Sequence, residues 1–410
     1  MVSPLLVVGL AVAVFVGFNI GGSSTGVAFG PAVGSGLVSK LAAAGLMTVF
    51  ALLGAATAGR RVIETLGGKI VPSSEFTLLV SVIILLFVGL ALLVSNTFGV
   101  PASTSMTAVG AIAGLGVATG TLQEPEMARI VGWWLVSPVL AFWICAVVGR
   151  YFYPYLDANF RVDRSAGAVV ERDGLSVSLA DGASRQELLG TVAVVAVACY
   201  MAFSAGASNA ANAVAPLVGA GGSLTVDQGV VLAVAAFGLG SFTIARRTLE
   251  TVGDDITELP ILASLIVSVV GGTVITILSS AGIPASLAVS TTSTIIGLGW
   301  GRASRAATLA ELATPTAERP DVAVSTGALV TSRAEDAPAG PTIGDVARHE
   351  TAGEKPEEVP DVPDVGSEGP ADIDENSLFD PAAAKRIVTM WVLTPSLAIV
   401  ASYPVFVILL

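Results

Sequence analysis

Charge is scarce in this chain, and so are the side chains that most often carry catalysis. Of 410 residues only 13% are charged and 6% aromatic, with one histidine, His349, and two cysteines, Cys145 and Cys199. Two thiols exclude a disulfide framework, and a single histidine excludes a histidine-rich metal centre. Both cysteines fall in apolar runs, where the ordinary role is that of a small buried hydrophobe, so neither reports a redox compartment. No phosphate-cradling nucleotide loop, metal-ligand cluster or catalytic triad is visible, and the reading is of no enzyme and no organic cofactor. Nothing favours nucleic acid as a partner, because 20 basic residues face 32 acidic ones. A basic n-region and a separate cleavage site are also missing near the N-terminus, so the apolar run Pro4 to Gly17 reads as a first span.

What the chain has in quantity is apolar surface. It is 53% hydrophobic with a mean hydropathy of +0.80, far from a soluble domain. A bilayer core needs about 20 apolar residues per helix, and the length allows roughly ten spans. They read as 4–20, 41–58, 76–98, 103–118 and 130–149, then 188–205, 230–245, 259–280, 286–300 and 387–410. The net charge of -12 is local: 17 of the 32 acidic residues lie between Glu311 and Asp380, with four basic ones among them. That segment is rich in Pro, Gly, Ala and Thr and cannot bury enough apolar area to offset its ordering entropy, so it reads as a disordered, solvated loop.

Two glycine-rich stretches interrupt the apolar pattern, GGSSTGVAFGPAVGSG from Gly21 and GASNAANAVAPLVGAGG from Gly206. They align at an offset of 185. GRRVIETLGGKI from Gly59 likewise matches ARRTLETVGDDI from Ala245, and VPAS from Val100 recurs as IPAS from Ile283. The triplet Ser103-Thr104-Ser105, followed by Gly110, pairs with Ser290-Thr291-Thr292, followed by Gly297. Landmarks in the same order imply a duplication. The expected organisation is a first membrane repeat over 1–149, a loop over 150–187, a second repeat over 188–300, an acidic cytoplasmic loop over 301–383, and a last helix of the second repeat over 384–410. An odd number of crossings per repeat would invert one against the other. Most loop arginines then share one face, cytoplasmic by the positive-inside rule, with Arg60, Arg61 and Lys69 as exceptions outside. The fold class is therefore an all-α polytopic membrane protein with two inverted repeats and broken or re-entrant helices.

Irregular backbone at membrane depth is tolerated only where protein or a water-filled cavity surrounds it. The glycine-rich stretches read as such breaks. They gather hydroxyls and amides at Ser23, Ser24, Thr25, Ser208, Asn209 and Asn212, and free N–H groups at a helix end favour anions without a basic side chain. Ser103, Thr104, Ser105, Ser290, Thr291 and Thr292 follow prolines at the starts of short apolar segments and would join them. The plainer account is that Gly, Ala, Ser and Thr let membrane helices approach closely. Arg60 with Glu64, and Arg246 with Glu250, have the spacing of helix-end ion pairs. Trp133, Trp134 and Trp391 read as interface anchors or packing.

These motifs resemble those of the PiT family of inorganic phosphate transporters, whose repeats each carry a signature of the form G-A-N-D-V-A-N. Ala28 to Gly36, AFGPAVGSG, is similar to the continuation of the first signature; GASNAAN is similar to the second. PASTSM at Pro101 and STTS at Ser290 resemble the family's P-x-S-T-T-H-type segments. The resemblance covers both repeats and omits the acidic loop. It implies a multi-pass transporter of the cell membrane, among membrane lipid and with a homodimer as one assembly, that moves phosphate by cation-coupled symport and alternating access. One repeat would rock against the other. The aspartates that the family uses for phosphate and for coupling Na+ or H+ are absent: Ser23-Ser24 and Ser208-Asn209 stand in their places, and Val27 replaces an asparagine that Asn212 keeps. Any Na+ would then rely on carbonyls near Asn209 and Asn212. A site of donors without a carboxylate loses a reason to reject sulfate, since phosphate carries a proton at neutral pH and sulfate does not. Phosphate is the first expectation, sulfate the second, and a non-transporting sensor a third.

Overall fold

The computed structural model describes residues 3–98, 103–159, 170–173, 176–179, 185–221, 224–255, 260–313 and 381–410. The acidic segment 314–380 with His349 lies outside them, as do the side chains of Arg246, Glu250 and Trp391. Helix α1 spans Pro4–Gly34, α2 Lys40–Ala56, α3 Ala58–Glu64 with a π turn over Thr65–Lys69, α4 Leu78–Phe98, α5 Thr104–Thr119, α6 Glu124–Val147 and α7 Tyr153–Asn159. A hairpin of β1 (Val170–Asp173) and β2 (Ser176–Leu179) follows, pairing Val170 with Leu179 antiparallel. Then come α8 Arg185–Gly219, α9 Val226–Asp255, α10 Ile261–Ser280, α11 Leu287–Ala313 and α12 Pro381–Leu409, α12 being the last. Among the described residues five helices are long and apolar enough to cross a membrane, and α2 with α3, bent by 58°, passes the same test as a pair. Shorter apolar stretches at Leu78–Leu93, Thr104–Thr119 and Pro395–Leu409 add to these among the described residues.

The glycine-rich stretches are not breaks. Pro4–Gly34 and Arg185–Gly219 each run as one helix through them. Glycine in a helix interior costs about 1 kcal/mol relative to alanine, and here the missing side chains allow backbone to approach backbone. A methyl at Gly21 would come within 2.8 Å of Phe237 Cα, and closer to its carbonyl oxygen; one at Gly240 would come within 2.9 Å of Gly22 N. These contacts pair α1 with α9. Gly206 meets Ala51, and Gly54 meets Phe203 and Ala207, pairing α8 with α2 in the mirrored way. Gly297 and Gly301 of α11 lie on Phe142 and Ala146 of α6, while Gly110 and Gly114 of α5 lie on Pro395, Ile399 and Ser402 of α12. In each pair the contact numbers rise together, so the helices are parallel. Gly9 faces Leu217 and Gly17 faces Ala213, so α1 and its repeat-mate α8 run antiparallel. The repeats are therefore inverted.

Each of these four pairs joins one helix from each half. A displacement of one whole half against the other would have to open all four seams. Among the described residues the spans are interrupted at the bend between α2 and α3 and at Ala281–Ser286, where α10 turns into α11. Ser103 and Ser286 are the caps of α5 and α11, accepting from Met106 N (3.2 Å) and Val289 N (3.3 Å). The match of VPAS to IPAS thus sets the register, and the triplet at Ser290 sits one turn deeper in α11.

Introducing a side chain at a seam should abolish folding. Gly21→Val and Gly54→Val are expected to lose more than about 3 kcal/mol and to yield no monodisperse protein in detergent. Gly45→Ala, where nothing lies within 4 Å of the added methyl, should purify as the natural chain does, as gel filtration of the three variants will report.

Candidate functional site

Helix α8 is the hub on which the starts of α5 and α11 converge. Asn212, fully buried, donates from Nδ2 to Thr104 Oγ1 (3.1 Å) and Ser105 Oγ (3.0 Å) in the first turn of α5. Thr104 Oγ1 donates in turn to Asn209 Oδ1 at 3.4 Å. One turn back, Ser208 Oγ donates to the carbonyl of Ala285 (2.6 Å), just before the cap of α11. Residues 208, 209 and 212 thus gather both helix starts because i, i+1 and i+4 share one broad helix face.

Two polar groups remain over. Asn212 Oδ1 is buried with no hydrogen-bond partner, an arrangement rare enough in folded proteins to need a reason. Asn209, 7% exposed, accepts through Oδ1 and leaves its amide N–H groups for another partner. Beside them are the first-turn N–H groups of α5, at the positive end of that helix. The cluster offers several donors, one free acceptor and no carboxylate. Among the described residues no group of three His, Cys, Asp or Glu could hold a metal ion.

The other candidates lie elsewhere or are otherwise engaged. Ser23 is exposed and bonds the carbonyls of Asn19 and Ile20 in its own helix. Ser24 is buried on α1. Thr25 donates to Ser241 Oγ (2.8 Å) or Gly21 O (2.7 Å), fastening α1 to α9. Ser103 caps α5. Ser290 Oγ donates to Gly271 O, Thr291 bonds Leu287 O one turn back, and Thr292 is buried. The ion pair of Arg60 with Glu64 does not form: Arg60 pairs with Asp227 at the start of α9, and Glu64 with Lys69 at 3.8 Å.

Two residues with a part near the site were read only as packing or not at all. Trp134 Nε1 donates to Pro284 O at 2.7 Å, and Arg129 Nη1 to Ala281 O at 3.3 Å. A signal existed, since RIVGWWLVSPVLA from Arg129 repeats as RIVTMWVLTPSLA from Arg386.

Residues 20–402 match the description of the phosphate transporter family. The chain is 34% identical to the sulfate permease CysP of Bacillus subtilis (strain 168) over 289 residues, 70% of this chain and 75% of that one. It is 24% identical over 373 residues to the "Putative phosphate permease PF1020" of Pyrococcus furiosus, covering 75% of this chain and 90% of that one. A solved structure titled "The sodium-dependent phosphate transporter" superposes with a TM-score of 0.62 over 99% of both chains at 18% identity, which is a likeness of fold.

The assignment of Thr25 to packing has a direct check. Thr25→Val and Ser241→Ala, singly and together, should show a coupling of about 1 kcal/mol in thermal unfolding.

Proposed function

The chain belongs to the phosphate transporter family, and on that premise we propose that it is a secondary active transporter that moves inorganic phosphate across the cell membrane by alternating access. The observation that carries the proposal is the pair of leftover groups on α8, the Asn209 amide N–H donors and the unpartnered Asn212 Oδ1. A phosphate that keeps a proton at neutral pH can satisfy both. Its oxygens accept from Asn209 and from the N–H groups at the start of α5, while its hydroxyl donates to Asn212 Oδ1. Thr104, Ser105 and Ser208 hold that geometry through the bonds described above, and Ser24, buried on α1, is the remaining donor we place around the anion.

Sulfate is the second reading, favoured by the absence of a carboxylate at Ser24 and Asn209 and by the similarity to a sulfate permease. It would leave Asn212 Oδ1 buried and unpaired, at a cost of about 1–3 kcal/mol. A carboxylate, in contrast, would repel it outright. The two effects oppose each other, so both anions are expected to bind, with phosphate ahead.

Cation coupling follows from the same region. Carbonyl oxygens near Asn209 and Asn212 are neutral oxygens of the kind a Na+ ion takes; with H+ as the driving ion, the proton travels on the phosphate and Asn212 Oδ1 receives it as a hydrogen bond. The moving bodies in this reading are units that draw on both repeats. The chain acts as a permease and performs no covalent chemistry on its substrate.

Purified protein in vesicles tests the proposal. Labelled phosphate should accumulate under an inward Na+ or H+ gradient, with labelled sulfate competing at higher concentration. Asn209→Asp should weaken sulfate competition by about tenfold or more, since each 1.4 kcal/mol of repulsion is a factor of ten. If neither anion accumulates under either gradient, the transporter reading is wrong. Accumulation of sulfate with no phosphate uptake would replace the first reading by the second.

A further inference from the structure

The turn between α10 and α11 has more donors aimed at it than its backbone alone would attract. Helix α10 ends with Gly282 in the left-handed region (φ 73°), where a methyl would lie 3.0 Å from Thr65 Oγ1 and 3.1 Å from Arg61 O. The N–H groups of Ala281, Gly282 and Ile283 fold back onto Ile277, Ser279 and Leu278. This closure leaves the carbonyls of Ser280 and Ala281 as orphans at the negative end of the helix. Arg61 Nη1 donates to Ser280 O, and Arg129 Nη1 to Ala281 O. Trp134 Nε1 takes Pro284 O, and Ser208 Oγ takes Ala285 O. Four carbonyls of one turn are thus held by four side chains from α3, α6 and α8. Arg129 is itself fixed by two bonds to Glu126, at 3.1 and 2.5 Å.

The internal repeat adds a separate observation. At the positions that match Arg61, Arg129, Trp134 and Ser208 the other half carries Arg247, Arg386, Trp391 and Ser23, identical in type. Between Arg129 and Trp134 the match is not uniform: Ile130 and Val131 recur as Ile387 and Val388, while Gly132 and Trp133 stand opposite Thr389 and Met390. A residue needed only to fill space beside Trp134 would have no reason to retain an indole N–H in both copies.

We propose that Arg61, Arg129 and Trp134 are positioning residues for anion binding. They fix the turn so that Ala285 stays docked on Ser208 and the face of α8 bearing Asn209 and Asn212 keeps its orientation toward the anion. The proposal rests on the transport reading of that site. None of the three touches the anion; they act through the turn and Ser208. Their loss loosens the site before it disrupts the fold, because each substitution removes one hydrogen bond from a turn that retains the others.

Uptake kinetics in vesicles separate this role from a merely structural one. Trp134→Phe keeps the ring and deletes the donor; Arg129→Gln removes the charge, and Arg129→Lys restores a donor without the paired bonds to Glu126. With labelled inorganic phosphate and labelled sulfate as probes, Trp134→Phe and Arg129→Gln should raise KM by about three- to tenfold, the worth of one hydrogen bond. Maximal uptake per folded copy, counted by gel filtration, should stay within about twofold. Arg129→Lys should fall between the natural chain and Arg129→Gln. An unchanged KM with uptake falling only in step with folded protein overturns the positioning role. If the natural chain takes up neither anion, the transport reading fails first and the positioning role falls with it, whereas normal uptake by the natural chain and by all three variants removes the positioning role alone.

Discussion

The close parallel contact of helix backbones through glycine is the constraint on which the rest of the structure depends. Within a membrane, apolar side chains gain little by leaving lipid for one another, so helix pairing rests on van der Waals packing and close approach. At Gly21 on Phe237 and Gly206 on Ala51 no side chain separates the partners, and the same device recurs where α11 meets α6 and α5 meets α12. Because each such pair takes one helix from each repeat, the halves interlock. Helices α1, α2, α8 and α9 form a central bundle, flanked by α4, α5 and α12 on one side and by α6, α10 and α11 on the other. Each flank carries the start of α5 or of α11. On the proposed transport reading, the flanks move against the bundle, and the bonds of Asn212 to Thr104 and Ser105 and of Ser208 to Ala285 lie across that boundary.

The inverted duplication was legible because it survives in letters: GRRVIETLGGKI and ARRTLETVGDDI, VPAS and IPAS, and the two glycine-rich stretches all fall in one order. Pro284 stands just before the cap of α11, whereas Pro31, Pro138, Pro216, Pro395 and Pro404 sit inside helices, so proline alone did not mark where spans stop. Glycine was ambiguous for a physical reason. The same missing Cβ that permits a break also permits a tight crossing, and only the partner's backbone, more than 180 residues away for Gly21, decides between them. The site itself was half visible. Residue type pointed to Thr104, Ser105, Ser208, Asn209 and Asn212, which do converge. Nothing local distinguished them from Thr25, whose hydroxyl is spent on Ser241, or from Ser23, which bonds its own helix. Arg60 likewise passes over Glu64 for Asp227, a partner that sequence spacing could not supply.

Arginines on the face that loop charge assigns to the outside run against the usual bias. Arg61 and Arg129 give that departure a cause: their guanidinium groups serve the orphan carbonyls at the end of α10, where positive charge also suits the helix dipole. A cation spent on backbone is no longer a free topological signal.

The inversion also makes the polar cluster one-sided. The α1 residue that matches Asn212 is Val27, 44% exposed, and it cannot donate to α11 as Asn212 donates to α5. The amide-rich face is therefore borne by α8, and its counterpart on α1 supplies only hydroxyls at Ser23 and Ser24. With no carboxylate on either helix at these positions, selectivity among tetrahedral anions has to come from hydrogen-bond complementarity. A single buried acceptor, Asn212 Oδ1, can distinguish an anion that brings a proton from one that does not, but by the worth of one unmade bond, whereas a fixed negative charge would exclude the unprotonated anion far more strongly. On the proposed reading, serine and asparagine in place of the family's two signature carboxylates widen the range of anions the fold accepts without changing how its helices are assembled.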